Sequence, residues 1–412
     1  MSGTVDRRGP ASRRSAGSDP GAGSGAATQS GDKAPGRARF AGLRADFWAA
    51  LPGWVCARAV VGAALAMTRF LITHVDVRDP RAHAHSHEVL FAWDAGFYRG
   101  IAATGYRFGA IPHEALRFFP LVPLLARAVG VVLGGRPALG LLLVVNGSAL
   151  AVGMAIHRLV LNETRDRSLA RRAAWLVALA PPAYVLVLGY AEATFMLCAI
   201  VCVGALRTRR WWLAAAFGAL AALTRPLGTL LVVPAAVEVF GAWRILGGVR
   251  QRIGAAVAIV APAAGTALYL GWVGLAYGHA LLPFSIQQEG RLRGRSVDPI
   301  SALSHEGRGL VHGQHVGSGL HVVWAVLFVG LLVVMGRRWP RSYTLFGAAT
   351  LLVALASRNL DSMERYVFSC FPFVLAAATL MRRAQIERAM LALTSVALSS
   401  YAFLAFFGAI IP

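Results

Sequence analysis

Residues 118–133 read Phe-Phe-Pro-Leu-Val-Pro-Leu-Leu-Ala-Arg-Ala-Val-Gly-Val-Val-Leu. Whether this stretch crosses a bilayer decides the topology of everything after it. A transmembrane helix needs about 20 apolar residues, with a lower limit near 17, and a stretch near that limit is ambiguous. Around it lie runs of spanning length at roughly 51–74, 138–157, 173–189, 190–206, 211–224, 227–243, 253–276, 319–336, 342–357, 366–381 and 389–411. The segment 172–207 is too long for one helix. Pro181-Pro182 and Gly189-Tyr190 break it into two short antiparallel ones.

Basic clusters decide the reading of 118–133. If it stays on one side, the cytoplasm receives the N-terminal tail, Arg158 to Arg172, Arg207-Thr208-Arg209-Arg210, Arg244 to Arg252, Arg337-Arg338 and Arg382-Arg383. If it crosses, all but the first move outside, against the positive-inside rule. The stretch is therefore read as an interfacial or re-entrant helix. That gives eleven spans, a cytoplasmic N-terminus and an extracytoplasmic C-terminus.

Composition supports the membrane reading. The 412 residues are 57% hydrophobic and only 15% charged, where soluble domains carry about 25%. The net charge of +22 sits in short arginine clusters between apolar runs, which is a topology signal and not a nucleic-acid groove. Residues 1–45 are rich in Gly, Ser, Ala, Pro and Arg without apolar periodicity. They read as a disordered cytoplasmic tail, too long and too basic for a signal peptide, leaving 46–412 as one transmembrane domain. Cys56, Cys198, Cys202 and Cys370 all fall within apolar runs and form neither a disulfide framework nor a zinc site.

This topology gathers Asp94, His113, Arg117, Tyr190, Glu192, Thr224, Arg225, Gln287, Arg358 and Arg365 on the outer face. Such convergence at a lipid–water boundary marks a site. The first outer loop, about 75–117, contains Trp-Asp-Ala-Gly-Phe-Tyr-Arg-Gly-Ile-Ala-Ala-Thr-Gly-Tyr-Arg-Phe at 93–108. Trp93, Phe97, Tyr98 and Ile101 fit helical spacing, giving an interfacial amphipathic helix. Local sequence leaves two readings of Asp94 open. It caps this helix, or it is a partly desolvated carboxylate acting as general base on a sugar hydroxyl. His83, His85 and His87 alternate as metal ligands on an extended strand would, but no acidic partner is in register, so a solvated loop is expected.

Glu192 opens the fourth span just after Tyr190, where an ionisable group points to function and where a helix N-terminus also favours it. Glu238, the other acidic residue in the later spans, is expected to snorkel or pair with Arg244. Arg225, after Thr224, suits bidentate phosphate binding, with interfacial snorkelling as the bland alternative; Arg365 reads the same way. Arg58 and Arg69 are taken as anchors of the first span. The outer loop 277–318 carries Gln287-Gln288 and Arg291, Arg293 and Arg295, and is read as cover for a polar headgroup. Asn162-Glu163-Thr164 matches a glycosylation sequon but falls on the cytoplasmic side and is discounted.

Taken in order, these motifs resemble the PIG-V-like mannosyltransferases, a branch of the GT-C membrane glycosyltransferases. The likeness rests on Trp93 to Tyr106, on Phe118 to Leu125, on Tyr190-Ala191-Glu192, on Leu223 to Gly228, and on Arg365-Tyr366 with Pro372. Phe97, Ala191 and Val122 depart from the family pattern, and one carboxylate, Asp94, stands in place of a two-acid motif. The acceptor is thereby left open.

The resemblance implies a GT-C-like all-α fold with interfacial helices in the first outer loop. It also implies inverting transfer of a sugar, mannose in the family, from a polyprenyl-phosphate donor on the extracytoplasmic face. Asp94 would be the catalytic base, Arg225 and Arg365 would hold the donor phosphate, and Tyr98, Tyr106, Tyr190, Glu192 and Gln287 would contact sugar or acceptor. A donor with one phosphate needs no obligatory metal, although a divalent ion is compatible. The expected partners are the lipid-linked donor, a lipid, glycan or protein acceptor, and membrane lipid, with no nucleic acid. The alternatives from other classes are a transporter or flippase of a polyprenyl-linked substrate, whose paired broken helices are not evident in the sequence, and a non-catalytic scaffold.

Overall fold

The computed structural model describes residues 34–75, 77, 79–107, 109–290, 292–312 and 316–411. Arg291 of the outer-loop cluster and most of the tail lie outside them. Residues up to Gly42 form a unit separate from Leu43–Pro412, the body that carries everything below. The described residues are helical throughout, with no strand.

Helix α1 (Ala34–His74) is followed by α2 (Pro80–Glu88), which Asp79 caps by accepting from the Arg81 amide. Next come α3 (Asp94–Thr104), α4 (Leu121–Val132) and α5 (Pro137–Thr164). Asp166 caps α6 (Arg167–Leu179), and Pro181-Pro182 ends that helix, as a ring without an N–H must. Then follow α7 (Glu192–Arg207), α8 (Trp211–Thr224), a 3-10 turn (Pro226–Leu231), α9 (Val232–Ala242) and α10 (Val249–Tyr277). Two short helices, α11 (Leu282–Gln287) and α12 (Pro299–Val311), occupy the next loop. The chain closes with α13 (Val316–Arg338), α14 (Arg341–Leu355), α15 (Met363–Phe368), α16 (Pro372–Leu380) and α17 (Ala384–Phe406).

Every apolar run read as a span has a helical counterpart here. Among the described residues, six helical segments are long and apolar enough to cross a membrane alone: 40–74, 137–164, 226–245, 249–277, 320–338 and 384–406. The chain is an all-α polytopic membrane protein. The remaining helices are shorter for a physical reason. Most of α6 and α7 is buried, 9 of 13 and 12 of 16 residues, so this hairpin belongs largely to the core.

The stretch 118–133 returns to the side it came from. Helices α1 and α5 run antiparallel, since Asp46 bonds His157 and Arg158 while Arg58 bonds Asn146. The segment between them therefore leaves and re-enters the helical layer at the same face. Its α4 has 12 residues, about 18 Å at 1.5 Å per residue, against an apolar core of about 30 Å. Helix α4 folds tightly onto α5: a Cβ on Gly140 would lie 2.2 Å from the Ala126 carbonyl oxygen.

Two expectations for single residues change. Arg58 is no anchor; it donates to Asn146 Oδ1 and to the Leu186 carbonyl, locking three segments together. Glu238 pairs with Arg207 at 3.2 Å and accepts from Ser342 at 2.5 Å, not from Arg244. The last turn of α7 delivers Arg207 between Glu238 and Glu163, so one guanidinium serves two carboxylates. Tyr343 donates to Glu163 as well. This polar clasp holds the ends of α5, α7, α9 and the start of α14 opposite the face where the candidate site lies.

Candidate active site

Asp94 is the first residue of α3, but it does not cap the helix. The cap position belongs to Trp93, which has φ 59° and gives no side-chain capping bond. A non-glycine residue there stores about 1–3 kcal/mol of strain and persists only when its surroundings hold it. Trp93 is held from two sides: its indole N–H donates to the Ala405 carbonyl at 2.9 Å, and its ring stacks on His85 at 4.0 Å. The result aims the Asp94 carboxylate away from its own helix and toward α15.

There it meets Arg365, whose Nη1 donates to Asp94 Oδ2 at 2.9 Å. Arg365 Nε stands 3.3 Å from Glu192 Oε1, and Glu192 Oε1 lies 2.7 Å from Arg225 Nη1. Arg117 completes the chain at 3.5 Å from Asp94 Oδ1. The network thus runs Arg117, Asp94, Arg365, Glu192, Arg225 across five segments. Glu192, Arg365 and Arg225 are only 2, 4 and 7% exposed, whereas the Asp94 side chain keeps 22% exposure. The most accessible carboxylate of the network is therefore the one read as the base.

The network lines a cavity of about 570 Å³ that also receives Tyr98, Tyr190, Gln287, Arg293 and Tyr366. Pro226, Leu227, Leu230, Val353 and Ala356 form an apolar wall. Four guanidiniums face two carboxylates, leaving a surplus of two positive charges for an anionic ligand. Burial alone would raise the Asp94 carboxyl, but Arg365 and then Arg117 outweigh it and hold the group below the usual carboxylate range. Burial pushes the Tyr98 phenol up, so it is a neutral hydrogen-bonding group. The hydroxyl of buried Tyr190 has no hydrogen-bond partner among the described residues.

Local sequence explains how these groups meet. Arg225 is extended (φ −159°, ψ 151°) between α8 and the turn that Pro226 starts. The chain then doubles back so tightly that a Cβ on Gly228 would lie 2.3 Å from the Ala222 amide nitrogen. Only glycine fits this approach, which gives the Thr224 to Gly228 motif a physical content. On the other side, α15 follows Ser362 at φ 66° and presents Arg365 and Tyr366 to the cavity.

Of the eight residues singled out from the sequence, Asp94, Tyr98, Tyr190, Glu192, Arg225, Gln287 and Arg365 line this cavity. Tyr106 does not. Its hydroxyl donates to the Phe118 carbonyl at 2.6 Å and its ring packs on Tyr269 and Trp272, so it buttresses the loop. The histidine triplet also departs from expectation, because the Asp79 cap and Pro80 start a helix there. His83 bonds the Val77 carbonyl and His85 pairs with Glu88. No group of three metal-ligating side chains occurs among the described residues.

Three cavity residues carry more than their sequence context suggested. Arg117 bridges Asp94 and Gln287. Tyr366 has Arg225, Arg293 and Arg365 guanidinium carbons 4.7, 4.4 and 5.1 Å from its ring centroid. One electron-rich face system thereby collects three cations. The sequence marks Arg293 only as one of the outer-loop arginines; the fold singles it out from its neighbours.

No family model matches the chain, and no curated protein matches it. Among solved structures it is similar to ArnT from Cupriavidus metallidurans bound to undecaprenyl phosphate, with 14% identity and a TM-score of 0.47 over 87% of this chain and 76% of that one. It is also similar to the apo oligosaccharyltransferase of Archaeoglobus fulgidus, with 14% identity and a TM-score of 0.44 over 85% of this chain and 55% of that one. AglB from the same organism, in complex with an inhibitory peptide and a dolichol-phosphate, gives 12% identity and a TM-score of 0.41 over 86% and 55%. The chain spans about half the length of the archaeal enzyme.

Proposed function

We propose that this chain is a membrane glycosyltransferase of the GT-C type. In this reading it moves a sugar from a polyprenyl-phosphate donor to an acceptor hydroxyl on the extracytoplasmic face, with inversion. The observation that carries it is the ion chain itself: a partly exposed carboxylate tied to a buried Arg–Glu–Arg relay, in a cavity with an apolar wall and surplus positive charge. Mannose is the sugar favoured by the motif resemblance.

The chemistry follows from the charges. Asp94 takes the acceptor proton as the acceptor oxygen attacks the anomeric carbon from the face opposite the phosphate. The bond from that carbon to the phosphate oxygen breaks, and polyprenyl phosphate leaves as a monoester with one more negative charge. Arg225 and Arg365 meet this charge where it develops, in a site that needs no reorganisation. Glu192 lies within ion-pair distance of both arginines and so sets their spacing. The apolar wall of Pro226, Leu227, Leu230 and Val353 takes the first isoprene units.

The arrangement also links binding to basicity. Arg365 and Arg117 hold Asp94 below the usual carboxylate range against the pull of burial, which makes a weak base. A donor phosphate on Arg365 competes for its positive charge and returns basicity to Asp94 only when the donor is present. The test is transfer from radiolabelled polyprenyl-phosphate-mannose in membranes holding wild type or Asp94→Ala at equal levels. Product from wild type alone supports the reading; product that does not depend on Asp94 sinks the base assignment.

A further inference from the structure

A second cavity of about 650 Å³ opens beside the first, and Arg293 lines both. Its walls are of another kind. Arg293, Arg295, His305, Glu306, Arg358 and Asn359 face it, and no apolar side chain lines it. Three guanidiniums oppose one carboxylate. None of the three has a carboxylate within ion-pair distance among the described residues, unlike Arg117, Arg225 and Arg365 of the first cavity.

The arginines are held in place by backbone. The Arg358 amide donates to the Arg295 carbonyl at 3.2 Å and the Asn359 amide to the Arg293 carbonyl at 3.1 Å. The Asn359 side chain adds a bond to the Leu292 carbonyl at 3.0 Å. Two loops distant in sequence are thus stitched so that their cations point into one space. Two buried polar atoms there lack hydrogen-bond partners among the described residues: Arg293 Nε and Glu306 Oε2. An unpartnered donor and an unpartnered acceptor on residues of one lining match an anionic sugar, whose oxyanion takes the arginines and whose hydroxyl donates to Glu306.

We infer that this second cavity is an anion subsite for the acceptor, which carries a phosphate or carboxylate on its saccharide. The inference rests on the glycosyltransferase reading for the word acceptor. A donor with one phosphate is already matched by Arg225 and Arg365, and its lipid chain needs the apolar wall that this cavity lacks. Arg293, at 4.4 Å over Tyr366, stands between the two spaces and connects their occupants electrostatically.

The test uses full-length protein in nanodiscs of phosphatidylcholine, with radiolabelled mannose 6-phosphate and mannuronate as probes and mannose as the neutral control. Binding of at least one anionic probe is expected to persist when undecaprenyl phosphate saturates the first cavity. It should exceed binding of mannose by about tenfold or more and fall about tenfold in R295Q/R358Q. Undecaprenyl phosphate binding by that double variant should stay within about twofold of wild type, which reports its folding. Displacement of both anionic probes by undecaprenyl phosphate, equal binding of mannose, or indifference to R295Q/R358Q would each overturn the inference. So would anionic phosphatidylglycerol in the nanodisc replacing both probes, since the cavity would then be a headgroup contact. If undecaprenyl phosphate fails to bind wild type while Arg295- and Arg358-dependent probe binding persists, the donor assignment falls and the anion subsite stands.

Discussion

Replacing Asp94 by asparagine separates charge from shape at the centre of the network. The amide oxygen can still accept from Arg365 Nη1, the bond that measures 2.9 Å in the native protein. What disappears is the ability to take a proton. A positioned general base contributes about 10²–10⁴ in rate, equivalent to about 3–5 kcal/mol at 1.36 kcal/mol per decade. We therefore expect kcat for sugar transfer to fall by that factor. Four guanidiniums would then face a single carboxylate, so KM for the anionic donor should stay level or decrease. The assay is steady-state transfer in proteoliposomes with equal amounts of folded protein. A variant whose kcat stays within about threefold of wild type refutes the assignment, because no positioned base is that dispensable.

The pH profile sharpens the same test. Arg365 and Arg117 depress the Asp94 carboxyl in the empty protein despite burial. Its acid limb in kcat/KM, which reports the free enzyme, should lie below the ordinary aspartate value of about 3.9. In kcat, which reports the donor complex, the limb should move upward as the phosphate claims Arg365. The stability contribution follows the depressed value. It is full above about pH 4 and is lost as the pH falls through the folded-state value. Coincident limbs in kcat and kcat/KM would sink the idea that the donor activates the base.

Other expectations concern the scaffold. Gly228→Ala drives a methyl into the α8 backbone at Ala222; we expect poor accumulation, and expression near wild-type level would contradict the close approach. Tyr106→Phe removes the bond to the Phe118 carbonyl and should cost about 0.5–1.5 kcal/mol of stability, read as a lower melting temperature in detergent, while KM for the donor stays within about twofold. A reporter fused after residue 160 should read cytoplasmic, and an external signal there would reverse the assignment of faces drawn from the arginine clusters.

The return of 118–133 to its own side was legible because charge asymmetry is a local and additive signal. Each arginine cluster votes separately, and the antiparallel pairing of α1 with α5 through Asp46 and His157 agrees with the reading of 118–133 as a returning segment. The membership of the cavity was legible for a related reason: Asp94, Glu192, Arg225 and Arg365 are polar groups at the ends of apolar runs, where water and lipid meet. What the sequence withheld was pairing. Asp94 and Arg365 are 271 positions apart, and no local rule chooses Arg207 over Arg244 for Glu238. Tyr106 shows the same limit in reverse, since an outer-loop tyrosine reads alike whether its hydroxyl meets a sugar or the Phe118 carbonyl.

That distinction bears on how the site itself is built. Charges placed by topology alone would repel, for four arginines crowd one cavity with two carboxylates. Glu192 and Tyr366 make the crowding tolerable, the first by pairing its charge with Arg225 and Arg365, the second by offering its ring to three guanidiniums. Neither compensates the full charge. The cavity therefore keeps a net positive charge that suits an anionic ligand, and Arg293 carries that charge into the neighbouring cavity. A site assembled only for stability would gain by replacing the buried ion chain with well-packed apolar side chains. The buried ion chain and strained Trp93 accord with the proposed stabilisation of transient negative charge.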